Sequence, residues 1–409
     1  MKKITPILIT CMLMALPTKA QWTKTLTGQS VMIDQISVVS DSVIWIKDLL
    51  GDKFSITVNG GKTWTTKNFP AAISAPGTTS SLSAVSDQVA FVILSISIST
   101  NTCGVYKTTD GGVTWVRQAT AFNSPLSFPN HVYFWNANEG LIIGDGISTA
   151  NGILEMYTTI NGGVQWNPVP AANMPTGSID ASLNTQSYIQ VNGNTVYVLS
   201  DKSGNIYKSV NKGFNWSVIQ TPSNGIFAGF DFKDDNHGLV SSYNSLTNVS
   251  TVYATSNGGV NWNTVYSTPL IQAIKYIPSA GNYLITKFPG LTYTTDGLTF
   301  IDHPSFTNIF LDVINYTPSG KIFIGGLSYM YSSTNFEGGL NTAVSSVFVN
   351  DATIVGYRIY SLSGKLLITV NSPGGVKLQD IKQTMNKGVY LMNAKLSNGQ
   401  VQYFKFIVQ

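Results

Sequence analysis

The sequence predicts an all-β protein: a seven-bladed β-propeller whose N-terminal strand closes the last blade, followed by a small C-terminal β-sandwich. Three observations predict it. One turn-forming motif recurs through residues 21–336 at a shortening interval. Between its copies lie short β-branched and aromatic runs split by polar turns, three before each motif and one after it, with no sustained helical periodicity. After Phe336 the spacing changes, and new turn signals divide residues 344–409 into five or six short runs.

Residues 1–20 come first. Lys2 and Lys3 precede an apolar run from Ile4 to Leu16, and Ala20 ends the segment, which predicts a secretory signal peptide cleaved before Gln21. The run is shorter than the roughly 20 residues needed to span a bilayer. A lipid on Cys11 is the alternative, but Thr10 is a poor neighbour for an acylated cysteine. The chain that remains has one cysteine, Cys103, and hence no internal disulfide. A large apolar core must stabilise it.

Gln21-Trp22-Thr23-Lys24 then reads as the strand that follows a motif, with no motif before it. Asn308 to Asn335 reads as three strands ending in a decayed motif, Ser332-Ser333-Thr334-Asn335-Phe336, with no fourth strand. Joined, the two ends complete one blade and remove the open sheet edges that invite aggregation. The total is seven, with six or eight as the alternatives.

The motif is clearest in Thr108-Thr109-Asp110-Gly111-Gly112-Val113-Thr114-Trp115. Asp110 can accept from amides a few residues on, the two glycines allow positive φ, and Trp115 opens the next strand with a large ring to bury. The other copies centre on Asn59 and Trp64, Asn161 and Trp166, Asn211 and Trp216, Asn257 and Trp262, and a shorter one on Asp296 and Phe300. Asparagine keeps the acceptor and drops the charge.

This pattern resembles the Asp-box, or BNR repeat, of sialidases, sortilin, xyloglucan-cleaving hydrolases and the photosystem II assembly-factor propellers. The resemblance covers residues 21–336. In that family the box is structural, so the resemblance implies a propeller and assigns no chemistry to the box residues.

The spacing of the motif aromatics falls from 51 residues between Trp64 and Trp115 to 38 between Trp262 and Phe300, so the early blades carry extra length. It falls after the fourth strand, as in Phe69–Ser80, Ala119–Asn130 and Asn167–Gln186, and between the second and third, as in Ser95–Gly104, Gly144–Gly152 and Ser242–Ser250. Both kinds of connection emerge on the face opposite the motifs, which predicts a binding surface there. Phe69, Phe122, Phe128 and Tyr243 are its candidate aromatic contacts, among loops rich in Ser, Thr, Asn and Gly that suit a glycan or a polypeptide.

Glu337-Gly338-Gly339 marks a linker, 337–343, ahead of the 344–409 domain. There Tyr357-Arg358-Ile359-Tyr360-Ser361-Leu362-Ser363-Gly364-Lys365, Lys387-Gly388-Val389-Tyr390-Leu391 and Asn398-Gly399 before Phe404-Lys405-Phe406-Ile407-Val408 resemble the C-terminal sorting domain of type IX secretion cargo of the Bacteroidetes. The resemblance implies export across the outer membrane, the type IX machinery as a partner, and a secreted or surface location. The Asn-Pro usual near that domain's start is absent, which blurs the boundary.

Composition excludes several functions. Residues 21–340 carry 14 basic and 18 acidic side chains, which is not a nucleic-acid footprint. Arg117 and Arg358 are the only arginines, too few for the three that hold a sialidase substrate's carboxylate. His131, His237 and His303 are scattered, so no metal and no cofactor is expected. A glycosidase needs two carboxylates about 5 to 10 Å apart, and Asp145 and Asp201, where second strands meet long loops, are the weak catalytic candidates. The expectation is a secreted or surface binding and adhesion module for a glycan or protein, with catalysis left open. The alternative is a glycan-active hydrolase using Asp on the long-loop face.

Overall fold

The computed structural model describes residues 22–29, 31–70, 79–95, 103–124, 127–145, 154–174, 189–200, 204–222, 226–307, 309–336, 354–361, 366–386, 388–397 and 401–408. The predicted signal peptide, the 337–343 linker, Asp201 and much of the predicted long connections lie outside them.

Between Thr23 and Ser333 the strands form seven antiparallel four-stranded sheets. Six of these use consecutive strands, the first being Ile33–Val38, Ile44–Asp48, Lys53–Thr57 and Thr65–Asn68. The remaining sheet takes Leu311–Tyr316, Ile322–Gly326 and Tyr329–Ser333 from the end and Thr23–Leu26 from the start, pairing Thr23 with Ser332 and Leu26 with Tyr329. The expected sharing of one sheet by both ends is therefore present.

Burial follows position in the sheet. The second strands Ile44–Asp48 and Ala90–Leu94 are buried throughout because both their faces are covered, and Ala90–Leu94 reads as a continuous apolar run. Six first strands carry a register shift near their start, as between Ile33 and Gln35 or Leu311 and Val313. Such bulges sharpen the local twist.

Apolar clusters fill the seams between consecutive sheets. Trp45 and Phe54 meet Leu82 and Val92 between the first and second, and Phe323 and Met330 meet Ile33 and Ile46 between the last and the first. A motif aromatic enters each seam from the following sheet: Trp115 lies edge-on to Phe54 at 5.9 Å, and Phe300 stacks on Tyr266 at 4.3 Å. Gly112 makes this approach feasible. It has φ 82° and an added Cβ would stand 2.3 Å from the Phe54 ring.

The turns hold themselves together as their residue types require. Asp110 Oδ1 accepts from the Val113 and Thr114 amides at 3.0 and 2.9 Å, and Gly112 N donates to Thr108 Oγ1 at 2.8 Å. Thr114 Oγ1 donates to Asp110 Oδ2 at 2.6 Å. In the first copy the polarity reverses, with Asn59 Nδ2 donating to Thr63 Oγ1 at 2.7 Å.

The tail differs from the expected sandwich. Its described strands form one sheet, ordered Leu366–Val376, Ile354–Ser361, Gly388–Leu396, Val401–Val408. The helix Leu378–Gln383 places Ile381 against Ile354, Ile359, Met392 and Ala394, so a helix covers apolar surface that a second sheet was expected to cover.

Candidate functional site

Consecutive antiparallel strands alternate direction, so connections after second and fourth strands share one face and the motif turns share the other. The first face is the candidate surface. Burial there separates the predicted contacts. Phe69 and Phe122 are 2% and 1% exposed and belong to seams: Phe69 packs on Phe54 and Trp115, and Phe122 lies edge-on to Tyr157. Neither ring faces a ligand, which corrects that expectation; each is drawn inward because its seam has apolar partners to offer. Phe128 is half-buried at the start of the strand Phe128–Phe134. Tyr243 stands in a hairpin and not in a loop, opposite Ser250, with its hydroxyl donating to Asn248 Oδ1 at 2.7 Å.

Asp145 ends the strand Gly140–Asp145 on this face, and Asn130 Nδ2 donates to its Oδ1 at 2.6 Å. The nearest described glutamate by register is Glu155, which belongs to no motif. Glu155 is opposite Gly144, so its side chain shares Gly144's sheet face while Asp145 takes the other. Packing agrees: Tyr157, on Glu155's face, joins the seam with the preceding sheet, whereas Leu154 and Met156 join the seam with the following one. Two carboxylates on opposite sides of a sheet do not flank one scissile bond.

Glu155 is itself buried. Tyr157 Oη donates to its Oε1 at 2.5 Å, and burial pushes its carboxyl above the usual range against that hydrogen bond. His131 is also enclosed, and desolvation lowers its imidazole to about 4. This histidine is a neutral core residue.

The first strands carry a further cluster, which no sequence motif marks. Lys275 Nζ of the sixth sheet donates to Gln190 Oε1 of the fourth at 2.5 Å and lies 3.5 Å from Asp231 Oδ2 of the fifth. Asp231 also accepts from Tyr276 N at 2.8 Å. Desolvation pushes Asp231 up and Lys275 opposes it. These contacts link three sheets, two of which are not adjacent.

The opposite face behaves differently. Its motif turns leave Val113, Val164, Val260 and Leu298 at least 65% exposed, at the position that directly follows the last turn glycine. In the turn 234–237 Asp234 Oδ1 accepts from the Asn236 and His237 amides at 2.8 Å each, and lies 2.8 Å from His237 Nδ1, so that group is a turn closure. Among the described residues no three His, Cys, Asp or Glu side chains are grouped to hold a metal, and no helix is long and apolar enough to cross a membrane.

No family model matches the chain, and no curated protein matches its sequence. Solved structures do. A structure of YCF48 bound to D1 peptide superposes with a TM-score of 0.57 at 13% identity, covering 77% of this chain and 97% of that one. An ancestral GH74 enzyme gives 0.55 at 14% identity, with 94% and 54% covered. The extracellular domain of a one-component system from B. thetaiotaomicron gives 0.51 at 9%, with 94% and 58% covered. With the sheets and seams already described, these similarities make the chain an all-β protein of the β-propeller fold.

Proposed function

We propose that the seven sheets are the blades of one closed Asp-box propeller, exported and held at the outer cell surface, that binds an extracellular polypeptide or glycan without transforming it. On this reading residues 1–20 are a signal peptide, 337–343 a linker and 344–409 a type IX sorting domain. Phe128 and Tyr243 remain the candidate ligand contacts. The observation that carries the non-catalytic reading is the placement of Asp145 and Glu155 on opposite sides of their sheet, one held by Asn130 and the other sunk in a seam. The YCF48 structure shows a peptide held by a protein of similar fold, which supports a polypeptide as one ligand class.

The test is a glycan-array and peptide-array screen of the secreted chain, with released reducing sugar assayed on polysaccharides that bind. Binding without sugar release, weakened by Phe128→Ala or Tyr243→Ala, is the expected result. Sugar release abolished by Asp145→Asn or Asp201→Asn establishes the hydrolase instead.

A further inference from the structure

One corner of the first sheet holds acidic oxygens that no group of the protein satisfies. Asp48 ends the strand Ile44–Asp48 and is 0% exposed. Its Oδ1 accepts from the amides of Asp52 and Lys53 at 3.2 and 3.4 Å, which draws the connection after this strand into a tight loop. Its Oδ2 has no hydrogen-bond partner, and neither has the buried Oδ1 of Asp52, whose carboxyl stands against that of Asp48. The ammonium of Lys47 is committed elsewhere, to Asp34 Oδ2 at 2.6 Å and to the Asp48 carbonyl at 3.1 Å.

A third unsatisfied oxygen belongs to Gln29, which is 4% exposed. Its Nε2 donates to Ser55 Oγ at 2.8 Å while its Oε1 is buried without a partner. Ser55 is paired with Ile46, so it shares a sheet face with Asp48, two residues further along. The segment carrying Gln29 crosses the same corner: Ser55 Oγ donates to Thr27 O at 2.8 Å, and Leu49 N donates to Met32 O at 2.9 Å. The amide is thus held at Ser55, on the face of the first sheet that Asp48 shares.

Three buried acceptors without donors are costly, and more so where the group is charged. A cation removes that cost. Oxygen donors alone, from two carboxylates and an amide, suit a hard divalent ion, and a loop of this kind suits the flexible shell of calcium better than the strict octahedron of magnesium. Zinc, which prefers nitrogen and sulfur ligands, does not fit.

We propose that Asp48 Oδ2, Asp52 Oδ1 and Gln29 Oε1 form a calcium site that ties the N-terminal segment to the first sheet. The competing account is a proton shared by the two aspartates. The experiment uses the secreted chain stripped with a chelator and titrated with calcium, with the melting temperature and tryptophan-sensitised terbium luminescence as readouts. A saturable rise in melting temperature is expected, with terbium displaced by calcium. Asp52→Asn and Gln29→Leu should each weaken calcium affinity by about 10- to 100-fold or more. Asp52 is half-exposed, so this variant is the one most certain to fold. If the parent chain does not respond to calcium, or if Asp52→Asn binds terbium as the parent does, the proposal is overturned. A chelated Asp52→Asn that melts higher than a calcium-insensitive parent establishes the shared proton.

Discussion

Trp22 Nε1 donates to the Phe336 carbonyl at 3.0 Å, a hydrogen bond between residues 314 positions apart. The indole is 0% exposed and lies edge-on to Phe306 at 5.2 Å. It anchors the strand Thr23–Leu26 to a sheet made otherwise from the far end of the propeller region. Trp22→Ala should therefore destabilise the protein by about 3–5 kcal/mol, as buried Trp truncations do. Urea denaturation measures this. A loss below about 1 kcal/mol would mean that the final sheet stands on three strands.

Gly112 and Gly193 both have positive φ, 82° and 59°, but a Cβ on Gly193 meets nothing within 4 Å while one on Gly112 meets Phe54 at 2.3 Å. Alanine at either position carries the backbone strain; only Gly112→Ala adds overpacking. We expect Gly112→Ala to be the more destabilising by about 1–3 kcal/mol. Equal losses in parallel denaturant titrations would show that the seam yields.

Hydrogen bonds from Thr114 and Thr108 hold Asp110 down at about 2, against an ordinary 3.8. A carboxylate depressed on folding contributes stability that is present above its ordinary pKa and lost as pH falls towards its folded one. Asp110→Asn should leave the neutral-pH melting temperature nearly unchanged and reduce the loss on acidification from about pH 4 to about pH 2. Asn59 already serves this way in the first turn. Identical acid profiles for the parent and the variant would contradict this reading.

His131 titrates in the same sense and a higher window. Its folded pKa of about 4 lies below the ordinary 6.5, so the unfolded chain takes up the proton first. Stability should fall from about pH 6.5 down to about pH 4, by roughly 3 kcal/mol at most. His131→Leu should flatten that part of the profile. NMR titration of the imidazole in the folded state gives a second check: a midpoint near 6.5 would place the ring in water.

Lys107 Nζ donates to the Gly162 carbonyl at 2.9 Å, just as Lys67 reaches Gly111 at 2.6 Å and Lys321 reaches Gly60 at 2.7 Å. Each lysine crosses to the turn of the following sheet and holds its first glycine. Lys107→Met keeps the stem and removes the donor, and should cost about 1–2 kcal/mol. Calorimetric melting of the variant checks this, and an unchanged transition would reduce the contact to a solvated one.

The repeated turn made most of this legible. A hydroxyl, an amide acceptor, paired glycines and an aromatic are a local solution to a local problem, so Asp110, Gly112 and Trp115 could be read without neighbours. The pairing of the N-terminal strand with the last sheet followed from a strand left over at the start and a fourth strand missing at the end. What could not be read depends on partners distant in sequence. Phe69 and Phe122 look like loop aromatics until Phe54 and Tyr157 are placed beside them. Ser242–Ser250 looked like a loop because its polar residues hide a hairpin. The lysine contacts, the Lys275 cluster and the unsatisfied oxygens of Asp48 and Asp52 carry no spacing at all. In the tail, the turn signal Pro373-Gly374-Gly375 lies inside the strand Leu366–Val376 and marks no break, and the helix Leu378–Gln383 is too short to show a period.

The sharing of the final sheet between Thr23–Leu26 and Leu311–Ser333 sets the genetic unit out of phase with the folded one. Counted from Trp22, the chain is a series of segments that each hold the outer strand of one sheet and the three inner strands of the next. Every such segment crosses a seam, so none could have existed as a free-standing sheet. Gain or loss of one segment by recombination would keep the strand tally even and leave both ends matched. A lineage could therefore change the number of its sheets without ever passing through an unpaired end.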